Sequence, residues 1–177
     1  MSRINELPTS RLDHFLPEWH FHEYHSVTID ARPDVVMAAA RAVTWREAPL
    51  ARVLMSFTKI KIVGDRPILD DFAMDGHAVL ELTDDELVYG GISNTHGPIG
   101  LQGPAPDAYP AFGAPGHTKS AFNLRFANNV LSTETRLFFT DTATLRSFRP
   151  YWTFIRLPSG LVRRALLRAI RNRALRR

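Results

Sequence analysis

The feature that most constrains this chain is the pair Asn128-Asn129, flanked on both sides by alternating apolar and polar residues. Asn tolerates positive φ, and two consecutive residues with positive φ are what a two-residue hairpin turn needs. Counting outward from that turn pairs Phe126 with Leu131, Leu124 with Thr133 and Phe122 with Thr135. These side chains share one face, which Leu137 and Phe139 continue, while Asn123 and Arg125 fall beside Ser132, Glu134 and Arg136 on the other. A hairpin patterned in this way is expected to cover an apolar interior with one face and to present Arg125, Glu134 and Arg136 to water with the other.

What covers the apolar face is suggested by the next segment. After Asp141 the period becomes helical, with Leu145, Phe148, Trp152 and Ile155 spaced by three and four residues, a stripe expected to lie on the sheet. Pro158, Ser159 and Gly160 predict a break, after which Leu161, Val162, Ala165, Leu166, Ala169 and Ile170 resume an apolar stripe backed by arginines. The chain is thus expected to end in a broken helix.

Upstream, Phe21 to Ile29 alternates Tyr24, Ser26 and Thr28 with His25, Val27 and Ile29, as a strand does. Pro33 suits a first helical turn, followed by Val35, Val36, Ala39, Ala40 and Val43; Pro49 then separates this helix from a second around Leu50, Val53, Leu54 and Phe57. Residues 58–76 fit strand and helix equally. His77 to Ser93 reads as two strands around Asp84-Asp85, with Leu82 opposite Leu87 and Leu80 opposite Tyr89 on one face. Glycine and proline punctuate Gly90 to Gly116, so a long loop is expected there, with one helical turn near Ala108 to Phe112. Residues 1–20, holding Pro8 and Pro17 and no steady period, are expected to be an extension to a domain spanning residues 21–177.

Composition narrows the function classes. At 177 residues, 45% hydrophobic and 23% charged, the chain suits one packed core. It has no cysteine, hence no disulfide, thiolate metal site or cysteine nucleophile, and its first residues lack the apolar run of a signal peptide. No stretch is apolar enough to span a bilayer, and a cytoplasmic location is expected. The net charge of +4 is local: Leu161 to Arg177 carries seven arginines and no acid, so the other 15 bases and 18 acids leave residues 1–160 at −3. A general nucleic-acid-binding surface is therefore not expected. The basic end fits either a docked helix with a solvated face or weak contact with an anionic membrane.

The segment HSVTIDARPDVVMAAARAV (His25 to Val43) resembles the opening strand and proline-started helix of the START-related superfamily of polyketide cyclases/dehydrases and lipid-transport proteins (SRPBCC). LSTETRLFFTDTATLRSFRPYWTFIRLPSGLVRRALLRAI (Leu131 to Ile170) resembles the last strand and closing helix of a bacterial branch of that superfamily. The resemblance implies an α+β helix-grip fold: a curved antiparallel sheet wrapped around a long C-terminal helix, with two short helices after strand one. It also implies an apolar cavity between sheet and helix, and so binding or transport of a lipid- or polyketide-like molecule. The alternatives are a cyclase or dehydratase and a peripheral membrane protein. The superfamily shares no catalytic residue, so none carries over to a position here, and no cofactor is implied.

The cavity walls expected from this arrangement are Phe122, Leu124, Phe126, Leu137 and Phe139 from the sheet, and Phe148, Trp152 and Ile155 from the helix. Each has the alternative of simply packing in a filled core. Thr133 and Thr135 are added because hydroxyls on an apolar face need partners and suit orienting a ligand. His20, His22, Glu23 and His25 look like metal ligands, but alternation sends His25 to the face opposite His20 and His22, and no metal site is expected. His77, Tyr89 and Tyr109 are the groups that acid-base chemistry on a bound polyketide would use, with nothing in the pattern selecting among them. No Gly-x-Ser-x-Gly turn or phosphate-binding glycine loop is present.

Overall fold

A computed structural model describes residues 10–56, 62, 64–74, 76–100 and 105–176. Residues 1–9 of the expected extension, parts of the ambiguous 58–76 stretch and residues 101–104 of the expected loop lie outside the described residues.

The order is α1 (Leu12–Phe15), β1 (Phe21–Thr28), α2 (Pro33–Ala42), α3 (Pro49–Met55), α4 (Ile68–Met74), β2 (His77–Leu82), β3 (Glu86–Asn94), β4 (Gly97–Ile99), α5 (Ala105–Ala111), β5 (Thr118–Ala127), β6 (Val130–Phe139) and α6 (Thr142–Leu175). The strands form one antiparallel sheet in the order β1-β6-β5-β3-β2, with β4 paired to the far end of β3. The sheet's inner face receives α6 and α2, and α3 packs against α6. This is the helix-grip fold.

The hairpin behaves as its turn requires. Asn128 and Asn129 have φ of 52° and 60°, and the register aligns Phe126 with Leu131 and Phe122 with Thr135. Pro33 and Pro49 each open a helix, so the two short helices after strand one fall where the prolines put them.

Four expectations change. The 34-residue α6 is continuous, not broken. Pro150 and Pro158 sit on its exposed side, where water can serve the carbonyls their missing N–H groups leave free. Ser159 and Gly160, which read as breakers, are its contact with β1: Ser159 Oγ donates to Glu23 Oε2 at 2.9 Å, and a Cβ on Gly160 would lie 3.4 Å from the His25 ring.

The second change is in the β2–β3 pairing. Leu82 does face Leu87, but a bulge between Val79 and Glu81 sets Val79, not Leu80, opposite Tyr89. Leu80 consequently packs with Val88 and Tyr109 on the outer face. Third, the expected 90–116 loop contains the end of β3, a tight turn in which Gly97 takes φ of +126°, β4 and α5.

Fourth, the polar face of the hairpin is largely covered: Arg136 is buried, while Arg125 and Glu134 keep partial exposure. Residues 10–19 and α5 cover it, and Leu12, Phe15 and Leu16 join Leu80, Val88, Ile92 and Tyr109 in a second apolar cluster. Beneath this cover Arg136, only 4% exposed, donates to the Leu16 carbonyl (2.8 Å), Asp13 Oδ1 (2.5 Å) and Glu134 Oε1 (2.6 Å), and its guanidinium lies 4.2 Å from the Trp19 ring. The buried Glu86 accepts from Ser10 Oγ, Asn123 Nδ2 and the Arg11 N–H. Charged groups tolerate such burial because partners satisfy them.

Candidate functional site: a cup divided along its length

Strand alternation puts Leu87, Tyr89, Gly91 and Ser93 of β3, Phe122 and Ser120 of β5, Thr135, Leu137 and Phe139 of β6, and Phe21, Glu23 and His25 of β1 on the inner face. The two ends of this face are filled differently.

At the hairpin end the core is closed. Leu124, Phe126, Leu87 and Leu131 pack against Val36, Met37 and Ala40 of α2 and against Leu166, Leu167, Ala169 and Ile170 of α6. Thr133, 1% exposed, donates its hydroxyl to the Asn123 carbonyl at 2.7 Å, so the sheet itself answers its need for a partner.

At the opposite end α6 stands over the sheet on aromatic side chains. Trp152 stacks on Phe21 with ring centres 4.9 Å apart, and Phe148 lies 4.8 Å from Phe139. None of residues 142–159 of α6 is fully buried, and Phe148, Trp152 and Ile155 are half-buried. A recess of about 400 Å³ remains there, bounded by Leu137, Phe139, Phe148, Tyr151 and Ser147, and floored by Ser93, Thr118 and Ser120. A wider groove of about 850 Å³ runs along the edge strand between β1 and α6, past Glu23, His25, Trp152, Arg156, Gly160 and Arg164.

Polar groups gather on the inner face beside Ser120 and Phe122. His77 pairs opposite Gly91, and because Gly91 has no side chain the ring can lean across it, bringing Nε2 within 3.1 Å of Ser120 Oγ. A Cβ at Gly91 would come 3.1 Å from the His77 ring. Nδ1 of His77 is buried without a hydrogen-bond partner. Burial, and secondarily the Arg163 charge, holds the imidazole down to about 4, with the Phe72 backbone opposing. His25 is also held below its usual value, first by burial, with Glu23 opposing and Arg164 and Arg163 assisting, and its Nε2 is likewise buried and unpartnered.

Arg163 projects from α6 over Phe122, its guanidinium carbon 5.3 Å from the ring centre. Desolvation lowers its pKa to about 10, against the opposing attraction of Glu23. In the sequence Arg163 reads as one of seven arginines on a basic face. The signal that separates it is its place three before Leu166 and seven before Ile170, within the buried arc of the helix.

The sequence-derived residues thus separate. Leu137, Phe139 and Phe148 border the recess, with Trp152 on the groove. Phe122 lies under Arg163 and stacks on Tyr89 at 5.3 Å. The Thr135 hydroxyl, paired across from Phe122, has no hydrogen-bond partner among the described residues. Burial raises the Tyr89 pKa, and Tyr109, buried on the outer side, donates to the Ser120 carbonyl. Of the four histidine-region residues, His20 Nδ1 accepts the Phe139 N–H, His22 Nε2 meets Glu134 at 3.0 Å, and Glu23 and His25 face α6. Among the described residues no helix is long and apolar enough to cross a membrane.

No protein-family model matches the chain, and no curated protein matches it. Among solved structures it is similar to the di-domain ARO/CYC BexL from the BE-7585A biosynthetic pathway, at 13% identity over 89% of this chain and 50% of that one, with a TM-score of 0.40. It is similar to Ara h 8.0201 at 12% identity over 88% of this chain and 97% of that one, TM-score 0.34. A third similar structure is the quaternary ammonium Rieske monooxygenase CntA with an inhibitor, at 10% identity over 88% of this chain and 44% of that one, TM-score 0.28. The chain therefore spans half the length of the first and less of the third. The fold assignment rests on the strand order and closing helix described above.

Proposed function

We propose that this protein binds an apolar, lipid- or polyketide-like small molecule between the N-terminal half of α6 and the inner face of the sheet. The observation that carries this reading is the uneven filling of the cup. At its hairpin end α2 and the C-terminal half of α6 cover the inner face with buried side chains, whereas its other end keeps a recess of about 400 Å³ walled by Leu137, Phe139, Phe148 and Tyr151. Sites for small molecules fall in the range of roughly 300–1,000 Å³ and combine apolar walls with a few polar groups, here Ser93, Ser120 and Ser147. Of the other expected wall residues, Trp152 lines the neighbouring groove, Phe122, Thr135 and Ile155 border neither opening, and Leu124, Phe126 and Thr133 belong to the closed end. Native mass spectrometry of the purified chain, then denaturation, should release an apolar compound at one per chain. A protein that comes empty and takes up no apolar fluorescent probe would overturn the reading.

A second reading concerns the outward face of the same helix half. Phe154 and Leu157 are 79% and 78% exposed, with Tyr151 and Leu161 beside them, and α6 carries arginines and no acid. An exposed apolar stripe flanked by cations matches an anionic lipid surface. The basic tail's own stripe is already spent in the core through Val162, Leu166 and Ile170, so any membrane contact belongs to residues 151–161. Phosphatidylserine-containing vesicles should pellet the chain, and replacing both Phe154 and Leu157 with Ser should abolish this. Equal pelleting of the variant would rule it out.

A further inference from the structure

Arg163 is a partly buried basic group that pairs with nothing among the described residues. Farther along α6, Arg173 pairs with Glu47 at 2.7 Å. Arg163 makes no hydrogen bond and no ion pair among the described residues, although its guanidinium is drawn into the cup over Phe122. Glu23 attracts it at long range, but that carboxylate accepts the Ser159 hydroxyl and stays beyond ion-pair distance. The other titratable groups around it are His77 and His25, both kept neutral at pH 7 by burial.

An arginine in this position has five N–H donors arranged as a planar fork and nothing to receive them. A desolvated cation without a partner opposes folding, and such groups concentrate where a ligand completes them. A further polar atom on the same stretch of the inner face is buried without a partner, Nδ1 of His77. Ser120 has one proton to give to either the Gly91 carbonyl or His77 Nε2, so the ring can offer Nδ1 as donor or acceptor. Ser120 lines the recess, and Phe122 lies two strand residues, about 7 Å, farther along β5 toward Arg163. A head group entering there meets Arg163 while its tail lies along Phe139 and Phe148.

We propose that Arg163 anchors the carboxylate of an amphiphilic ligand whose apolar part fills the recess. The inference rests on the apolar-ligand reading and adds the chemical class of the head group. A carboxylate matches the fork bidentately, and its single charge balances the single unpaired cation, whereas a dianionic phosphate would leave a net negative charge beside Glu23.

The test is fluorescence titration of the full chain with cis-parinaric acid and with its methyl ester, which share a tail and differ in the carboxylate. The acid should bind about tenfold to a hundredfold more tightly than the ester, the range of one to two charge-assisted hydrogen bonds. In Arg163→Met the ratio of the two affinities should collapse towards one, and in Arg163→Lys, which keeps the charge and loses the fork, it should fall to an intermediate value. Circular dichroism confirms that both variants are folded. Equal binding of acid and ester by the wild type, or a ratio unchanged in Arg163→Met, would overturn the inference and leave the apolar-ligand reading intact. Failure of the wild type to bind either probe would sink that reading, and the carboxylate anchor with it.

Discussion

Arg163→Met should stabilise the ligand-free protein, an unusual direction for a substitution at an inward-facing position. Burial disfavours the charged form and brings the guanidinium well below its ordinary value, to about 10. At 1.36 kcal/mol per pH unit, that fall corresponds to about 3 kcal/mol against the folded state. The figure is a ceiling, since the half-buried side chain keeps some water. The penalty is fully present at pH 7, below both values, and is relieved only as pH rises through 10, where the folded chain gives up its proton before the unfolded one. Methionine keeps the apolar stem that packs beside Phe122 and removes the charge, forfeiting a cation–π contact of about 1 kcal/mol. The net gain is about 1–2 kcal/mol, or a rise in Tm of about 3–6 °C for a domain of this size. Calorimetry at pH 7 on protein stripped of bound lipid measures it, and a saturating carboxylate ligand should reverse the order by stabilising the wild type more. A fall in Tm of similar size in the stripped variant would refute the reasoning, because it would mean the guanidinium already has favourable partners in the empty fold.

The imidazole of His77 is neutral in the fold down to about pH 4, whereas the unfolded chain takes up that proton near 6.5. Stability should therefore drain away as pH falls from 6.5 to about 4, by at most about 3 kcal/mol. Urea melts at pH 7 and 4.5 should show a smaller loss in His77→Gln than in the wild type, and parallel losses would contradict the assignment. Gly90→Ala places a methyl 2.5 Å from Leu80 Cδ1 and 2.9 Å from the Tyr109 ring, and should cost about 1–3 kcal/mol; Gly113→Ala, with nothing within 4 Å, should be near neutral by the same melts. Arg136→Leu strands Asp13, Glu134 and the Leu16 carbonyl beneath the N-terminal cover. It should destabilise by about 3 kcal/mol and, by loosening residues 10–19, speed tryptic cleavage after Arg11, and an unchanged digestion rate would show that the cover is held by other contacts.

The parts of the fold that were legible in the sequence are those set by neighbouring residues. Asn128-Asn129 dictates its own turn geometry, and the turn dictates the hairpin register, so the inner face could be read through to Phe139. Pro33 and Pro49 announce helix starts for the same local reason. Alternation says which residues share a face but not what covers it. Glu134 and Arg136 look solvent-facing until Asp13 and Leu16, more than 110 residues away, close over them. The misaligned β2–β3 register has a comparable cause, since the bulge after Val79 turns Leu80 outward to a cluster built partly from the same N-terminal residues.

Residues of the candidate site were harder to read because α6 does two jobs in one period. From Val162 to Ala174 its apolar residues are committed to the core, and before Ser159 its aromatics hold the helix over the sheet without filling the space beneath. A stripe through Phe148, Trp152 and Ile155 looks the same in either case, so periodicity cannot tell a wall from a filling. The transition lies at Ser159 and Gly160, where the hydroxyl on Glu23 and the bare backbone against His25 bring the helix closest to β1. Three residues later the same inward arc delivers Arg163, the first side chain past that contact that is long enough to reach Phe122. The break signal and the overlooked arginine therefore belong to one device. A small polar step lets the helix touch the edge strand, and that contact aims a cation into the interior, where only a ligand bearing the opposite charge would complete it.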